Sequence, residues 1–396
     1  MLTWLASTLS VLRESRDIYY VYPQRVTTSF GLVAKKHIEY LRKHYNVREI
    51  EQFVFSTLIQ SIGQTLTILH PVKEILDIVH TRNPGLFQQS FMNTGMVIMN
   101  TLAFYQMMTQ ARLLNQYNLI GFDVCDSDKM SKYAVDLINN VKKVAVPSTY
   151  CADVFRYSGV KTKIYVIPHG LDREWYELPN VWTSNLKEKI NNPQLLQLYE
   201  YKRRTGKKIL LFWQWYENPR KGYTEVAEVY KRIRKERDDV VLVVKVDGQH
   251  LKLYDLLKDV EYIKVQGWLS DFEKMALYDL ADATLLFSWA GAFEINCLES
   301  LARGIPCLAH DYGSWRDYMH PLFFIRRGQR VKVFDSNLFH EGYGYRVHID
   351  HAVAKVHDVL DNHDIYKEIA EEHRQKLKET FVWDRVGEMV LKMIND

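Results

Sequence analysis

The chain reads as an α/β protein built from two doubly wound domains with parallel sheets, and three observations carry that reading. Short apolar runs alternate with amphipathic helical stretches through both halves, the order that builds a parallel sheet covered on both faces. At 396 residues the chain is too long for one ordinary core and fits two. Its 47% apolar and 25% charged residues match a globular protein and exclude a disordered or fibrous one.

The first half opens with a strand at Ile18–Tyr22, a loop, and an amphipathic helix (GLVAKKHIEYLRKH) with apolar residues at helical spacing. A strand at Thr65–Leu69, a long helix around Thr101–Asn115 and a strand at Leu119–Val124 are expected next. A helix at Lys129–Asn140, the strand Val144–Val146 and the helix Tyr150–Tyr157 complete this half. Between Leu171 and Lys208 the pattern loosens into polar and charged residues, which reads as a linker. The second half restarts with the strand Ile209–Trp213, a helix from Thr224, the strand Val240–Val246 and a strand near Glu261–Val265. Ser270 and Glu273 have capping-box spacing ahead of a helix at Phe272–Ala281. Thr284–Phe287 is a further strand, a helix opens near Asn296 and stops at Gly304, and a strand follows at Ile305–Ala309. The last helix carries Val386, Met389, Val390 and Met393 on one stripe.

The formal charge of +4 admits an anionic ligand or a lipid surface and does not call for nucleic acid. Four cysteines without metal-ligand spacing fit a reduced cytoplasmic chain. The apolar start, MLTWLASTLSVL, is too short to span a bilayer and reads as a core helix, with interfacial anchoring at the membrane as the alternative.

The chemistry concentrates in the second half. Lys221, in ENPRKG, stands between a strand and a helix start, where a cation and free amides cradle an anion. FSWAGAFEINCLESLARGIPCLAHD is strand, small-residue loop, helix and strand, and ligands bind at the carboxyl ends of such strands. Within it Glu299 offers two acceptors, which suits a vicinal diol; its spacing from Asn296 also fits a capping box. Together with VIPHGLD and LARGIP, these segments resemble the retaining, family 4 glycosyltransferases of the GT-B fold, glycosyl transferases group 1. The resemblance covers Val144 to the C-terminus well and the first 115 residues poorly.

That resemblance implies two Rossmann-like domains facing across a cleft: residues 1–170 for the acceptor, 171–207 as a hinge, 208–380 for the nucleotide-sugar donor, and 381–396 as a helix returning to the first domain. It places Lys221 on the donor diphosphate, with Arg220 compensating for an arginine that the family has where this chain has Trp215. Glu299 would bind the ribose, while Leu269 and Lys274 would line the base and Gly31 the phosphates. The loop Gly291, Ala292, Phe293, Glu294 and Ile295 departs from the family pattern. Gly291 stands where the family has its first acid and Glu294 where it has glycine, so Glu294 is expected to take over the sugar contact. Of the acids Asp123, Asp126 and Asp128, Asp126 is the expected catalytic or acceptor-side one. His169, in the hinge, reads as structural. The implied activity is metal-independent, retaining transfer from a UDP- or GDP-linked sugar to a glycan, lipid or protein acceptor, without cofactor or nucleic acid. The alternatives are a degenerate relative that binds nucleotide or a partner without transfer, and a sugar-nucleotide epimerase.

Overall fold

The computed structural model describes residues 17–22, 29–51, 96–99, 118–214, 217–248 and 251–396. The apolar start, the strand expected at Thr65–Leu69, the helix expected at Thr101–Asn115 and Trp215 lie outside them. The chain divides into two compact units. The first holds the described parts of 1–124, residues 130–168 and 383–396; the second holds 125–129 and 169–382.

The first unit contains the parallel strands β1 (Asp17–Tyr22), β2 (Asn46–Glu51), β3 (Met96–Met99), β4 (Asn118–Phe122), β5 (Lys143–Val146) and β6 (Lys163–Val166), in the order β2-β1-β3-β4-β5-β6. Its helices are α1 (Ser29–Leu41), α2 (Lys132–Ile138) and α3 (Thr149–Ser158), the last two N-capped by Ser131 and Ser148. The last helix of the chain (Trp383–Asn395) lays Val386, Val390 and Met393 into the same core as Val33, Ala34 and Ile38 of α1. Packing there is close enough that a β-carbon on Gly387 would sit 2.1 Å from the Tyr40 ring. β2 and β3 had no counterpart in the sequence reading: β2 has only Val47 and Ile50 as apolar residues among its six, three positions apart and so off the strand period of two.

The second unit begins before the first strand of its sheet. Helix α4 (Pro193–Thr205) precedes β7 (Lys208–Gln214), α5 (Tyr223–Glu236), β8 (Val240–Val246), α6 (Leu251–Leu257), β9 (Tyr262–Gln266), α7 (Asp271–Leu280), β10 (Ala283–Leu286), α8 (Ile295–Ala302), β11 (Cys307–His310) and β12 (Phe324–Ile325). The parallel sheet runs β12-β11-β10-β7-β8-β9, so the winding reverses between β7 and β10. In a doubly wound sheet that reversal opens the crevice where ligands bind. An antiparallel hairpin, β13 (Arg327–Lys332) with β14 (Tyr343–Val347), and helices α9 (Ile349–Asp361) and α10 (His363–Thr380) complete the unit, with α11 the helix Trp383–Asn395 already described.

Residues 171–207 are not a linker. Trp175, Tyr176, Val181, Trp182, Leu195 and Leu198 belong to the core of the second unit. Arg303, 5% exposed, fastens them there. Its guanidinium grips both oxygens of Asp279 at 2.8 Å and donates to the carbonyls of Trp175, Leu178 and Pro179. The polar composition that suggested a linker lies on exposed positions of the turn Asn185–Lys189 and of α4. Among the described residues, no helix is long and apolar enough to cross a membrane.

Candidate active site

Two loops leave the sheet at the reversal point. The first follows β7 and turns through Pro219–Lys221 into α5, with Asn218 capping the turn. Gly222 is required there twice over. Its φ is +75°, and a β-carbon would lie 2.1 Å from the carbonyl oxygen of Phe287, just beyond β10. The absence of that carbon lets the Lys221 loop lie directly against the second loop, residues 287–294.

In that second loop Glu294 ends the approach to α8, and its carboxylate takes Lys221 Nζ at 2.8 and 2.9 Å. The acid is nearly buried and the lysine partly so. The side chain of Glu294 folds back over Gly291: a β-carbon at Gly291 would meet Glu294 Oε1 at 2.6 Å and Cγ at 3.1 Å. The carboxylate at position 294 therefore fills the space into which a side chain at 291 would grow. Tyr318 holds the loop by accepting from the Glu294 amide at 3.2 Å and donating to its carbonyl at 3.1 Å. Phe293 stacks on Tyr318 and lies tilted against His169, both at a centroid distance of 4.8 Å. Desolvation of its ring drives the basicity of His169 down to about 3 and keeps it neutral.

Arg220 and Asp126 form a brace beneath the loop. The Arg220 guanidinium donates to the carbonyl of Ala290 at 3.1 Å and pairs with Asp126 at 3.3 Å. Asp126 also accepts from the Ala292 amide at 2.9 Å, and its own amide donates to His340 Nδ1 at 3.3 Å. Burial pushes the Asp126 carboxyl up, but Arg220, His340, Lys221 and the Ala292 amide together hold it below the usual range. Arg220 thus meets Asp126 and the carbonyl of Ala290, and Asp126 ties Arg220 to the Ala292 amide of the loop. Asp128 pairs with Arg330 of the hairpin, and Asp123 lies in the first unit.

Farther along α8, Glu299 accepts from Tyr278 Oη at 2.9 Å and from Lys274 Nζ at 3.3 Å. The helix begins at Ile295 with Glu294 at its N-cap, so Asn296 and Glu299 do not form a capping box. The box predicted for Ser270 and Glu273 is present. Lys274 also pairs with Asp271, and these acids outweigh burial and keep it fully charged. Tyr278 stacks on Trp213 at 5.5 Å, and the Trp213 ring in turn lies 5.2 Å from Lys245 Nζ. Leu269 is buried and its neighbour Trp268 is 62% exposed. Gly31 sits in the first turn of α1, in the first unit.

The structure therefore brings together Lys221, Gly291, Glu294, Arg220, Asp126 and Ala292 in one cluster, and Glu299 with Lys274 in a second. Sequence reasoning missed Trp213, Tyr278, Tyr318, His340 and Lys245. For Lys245 a signal existed: it is the one charged residue in the otherwise all-valine-and-leucine strand VVLVVKV.

Residues 199–376 match the family model for glycosyl transferases group 1. Uncharacterized protein 356 of Sulfolobus islandicus rod-shaped virus 1 is 28% identical over 389 residues, 96% of this chain and 98% of that protein. The alpha-monoglucosyldiacylglycerol synthase of Streptococcus pneumoniae is 30% identical over 190 residues, covering 46% of this chain and 40% of that enzyme. A structure of Anabaena HepE in complex with UDP and glucose matches with a TM-score of 0.65 at 12% identity, covering 96% of this chain and 99% of that one. Fold and site define a GT-B protein with two Rossmann-like domains. The chain is a glycosyltransferase, and residues 199–376 of its second unit are similar to the glycosyl transferases group 1.

Proposed function

We propose that this enzyme transfers a sugar from a UDP- or GDP-linked donor to an acceptor hydroxyl with retention of configuration and without a metal ion. Lys221 takes the donor diphosphate, Glu299 the ribose hydroxyls, and Glu294 the hydroxyls of the transferred sugar. The observation that carries this reading is the fold-back of Glu294 onto Gly291, which puts a carboxylate where the sequence lacks one. In the free enzyme Glu294 is the counterion of Lys221. Donor phosphates take over the lysine, and the released carboxylate then accepts from the sugar. The acceptor oxygen bonds to the anomeric carbon on the face from which the diphosphate leaves, and a phosphate oxygen takes the acceptor proton. Lys221 offsets the charge that develops on that leaving group.

Glu294→Ala tests the assignment. It is expected to cut transfer while the bare nucleoside diphosphate binds as before, and full activity would overturn it. The named relatives make UDP-glucose the first donor to try and diacylglycerol in vesicles the first acceptor; the vesicles also test peripheral membrane contact. The Lys221–Glu294 pair supports one second reading, a nucleotide-binding protein without transfer. Purified protein that binds nucleotide but neither transfers nor hydrolyses any donor would favour it.

A further inference from the structure

Lys245 is buried in the second unit, 3% exposed, at the carboxyl end of β8. Its ammonium donates to the carbonyl of the next residue, Val246, at 3.2 Å, and no described carboxylate lies within ion-pair distance. The other two lysines of the site differ: Lys221 is held by Glu294, and Lys274 by Asp271 and Glu299. Lys245 pairs in register with Trp213 on β7, so both side chains leave the same face of the sheet. The Trp213 indole N–H is also buried and finds no acceptor among the described residues. Two adjacent strand ends thus present a cation without a carboxylate partner and a neutral donor without an acceptor among the described residues, beside the Tyr278–Glu299–Lys274 group.

A buried charge without a counterion is costly, and a chain that keeps one gains most when an anion arrives. A neutral base carbonyl would satisfy a hydrogen bond but leave the charge uncompensated. β8 neighbours β7, the strand that leads into the Lys221 loop, and lies on the side of it away from β10. An anion spanning two phosphates can reach from one strand end to the next, since strands in a sheet lie about 4.8 Å apart. We infer that Lys245, with the Trp213 indole, forms a second anion subsite that takes one phosphate of the donor's nucleoside diphosphate, Lys221 taking the other. This rests on the donor assignment above. It supplies a second cation from a strand that no sequence motif singles out.

Calorimetric titration at pH 7 tests it, using wild type, Lys245→Met, Lys245→Gln and Lys245→Arg against UDP, GDP and ADP, and against the free nucleoside of the best binder. Both neutral variants are expected to bind the diphosphate about tenfold more weakly or worse, with the nucleoside unaffected and the arginine variant close to wild type. Equal diphosphate affinity in wild type and the neutral variants overturns the inference alone. So does an equal loss for nucleoside and diphosphate, because the contact would then be to the base or ribose. Wild type that binds none of the three diphosphates overturns the donor assignment and this subsite with it.

Discussion

Arg303 and Lys245 are both buried cations of the second unit, 5% and 3% exposed, and the protein treats them in opposite ways. Arg303 meets a bidentate carboxylate and three carbonyls, so its charge and every N–H are answered where they stand. Lys245 meets one carbonyl and the face of an indole. The first arrangement secures a segment of chain; the second holds binding capacity in reserve. Burial alone thus does not tell a structural charge from a functional one, and the inventory of partners does.

The largest expected effect sharpens the structural side. Arg303→Met leaves Asp279 buried and uncompensated and releases residues 175–179, so unfolding free energy should fall by about 3–5 kcal/mol. Urea denaturation followed by tryptophan fluorescence reads this directly, since Trp175 and Trp182 lie in the affected region. A loss below about 1 kcal/mol would remove the contrast.

Lys245→Met should do the reverse in the ligand-free protein. Burial brings the Lys245 ammonium down to about 8 from 10.5; Lys274 on α7 adds to the effect and Asp247 opposes it. Between those two values the unfolded chain holds a proton that the folded chain has released, so this group makes stability rise with pH across that window. Below about 8 both states are charged and the penalty is fully present, at most roughly 3 kcal/mol. The methionine variant should therefore melt above wild type at pH 7, with the gap narrowing by pH 9.5. A variant that melts lower at pH 7 would mean that the ammonium is satisfied after all.

The smallest effect concerns Glu299→Gln. Glu299 is bonded by Tyr278 and Lys274 and does not cap α8, so the melting temperature should change little while nucleoside diphosphate affinity drops severalfold. Both quantities measured on one preparation decide it; a lower melting temperature with unchanged affinity would assign Glu299 to Arg303's kind of role.

Much of the second unit was legible beforehand. Val240–Val246 reads as a strand because five of its seven residues are β-branched valines, and Ser270 with Glu273 marks a helix start through contacts three residues apart. The Lys221–Gly222 turn was visible as a cation before a helix. Residues 171–207 were misread because their polar positions face outward, whereas Trp175 and Trp182 are anchored by partners about 100 residues away, Arg303 and Ala276. The loop from Gly291 to Glu294 was read by position: the resemblance implies that the acid and the glycine exchange places there, and only folding shows that the carboxylate comes back over the glycine.

What the sequence by itself determined is therefore local: the alternation of strands and helices, their capping, and the glycines that permit close turns, all of which depend on neighbours a few residues apart. The tertiary structure alone decided which charges are answered. Asp126 becomes a brace because Arg220 and the Ala292 amide reach it from 94 and 166 positions away. Lys245 stays uncompensated because the sheet sets it beside Trp213, and charge balance inside a protein is fixed by distances that chain order does not encode.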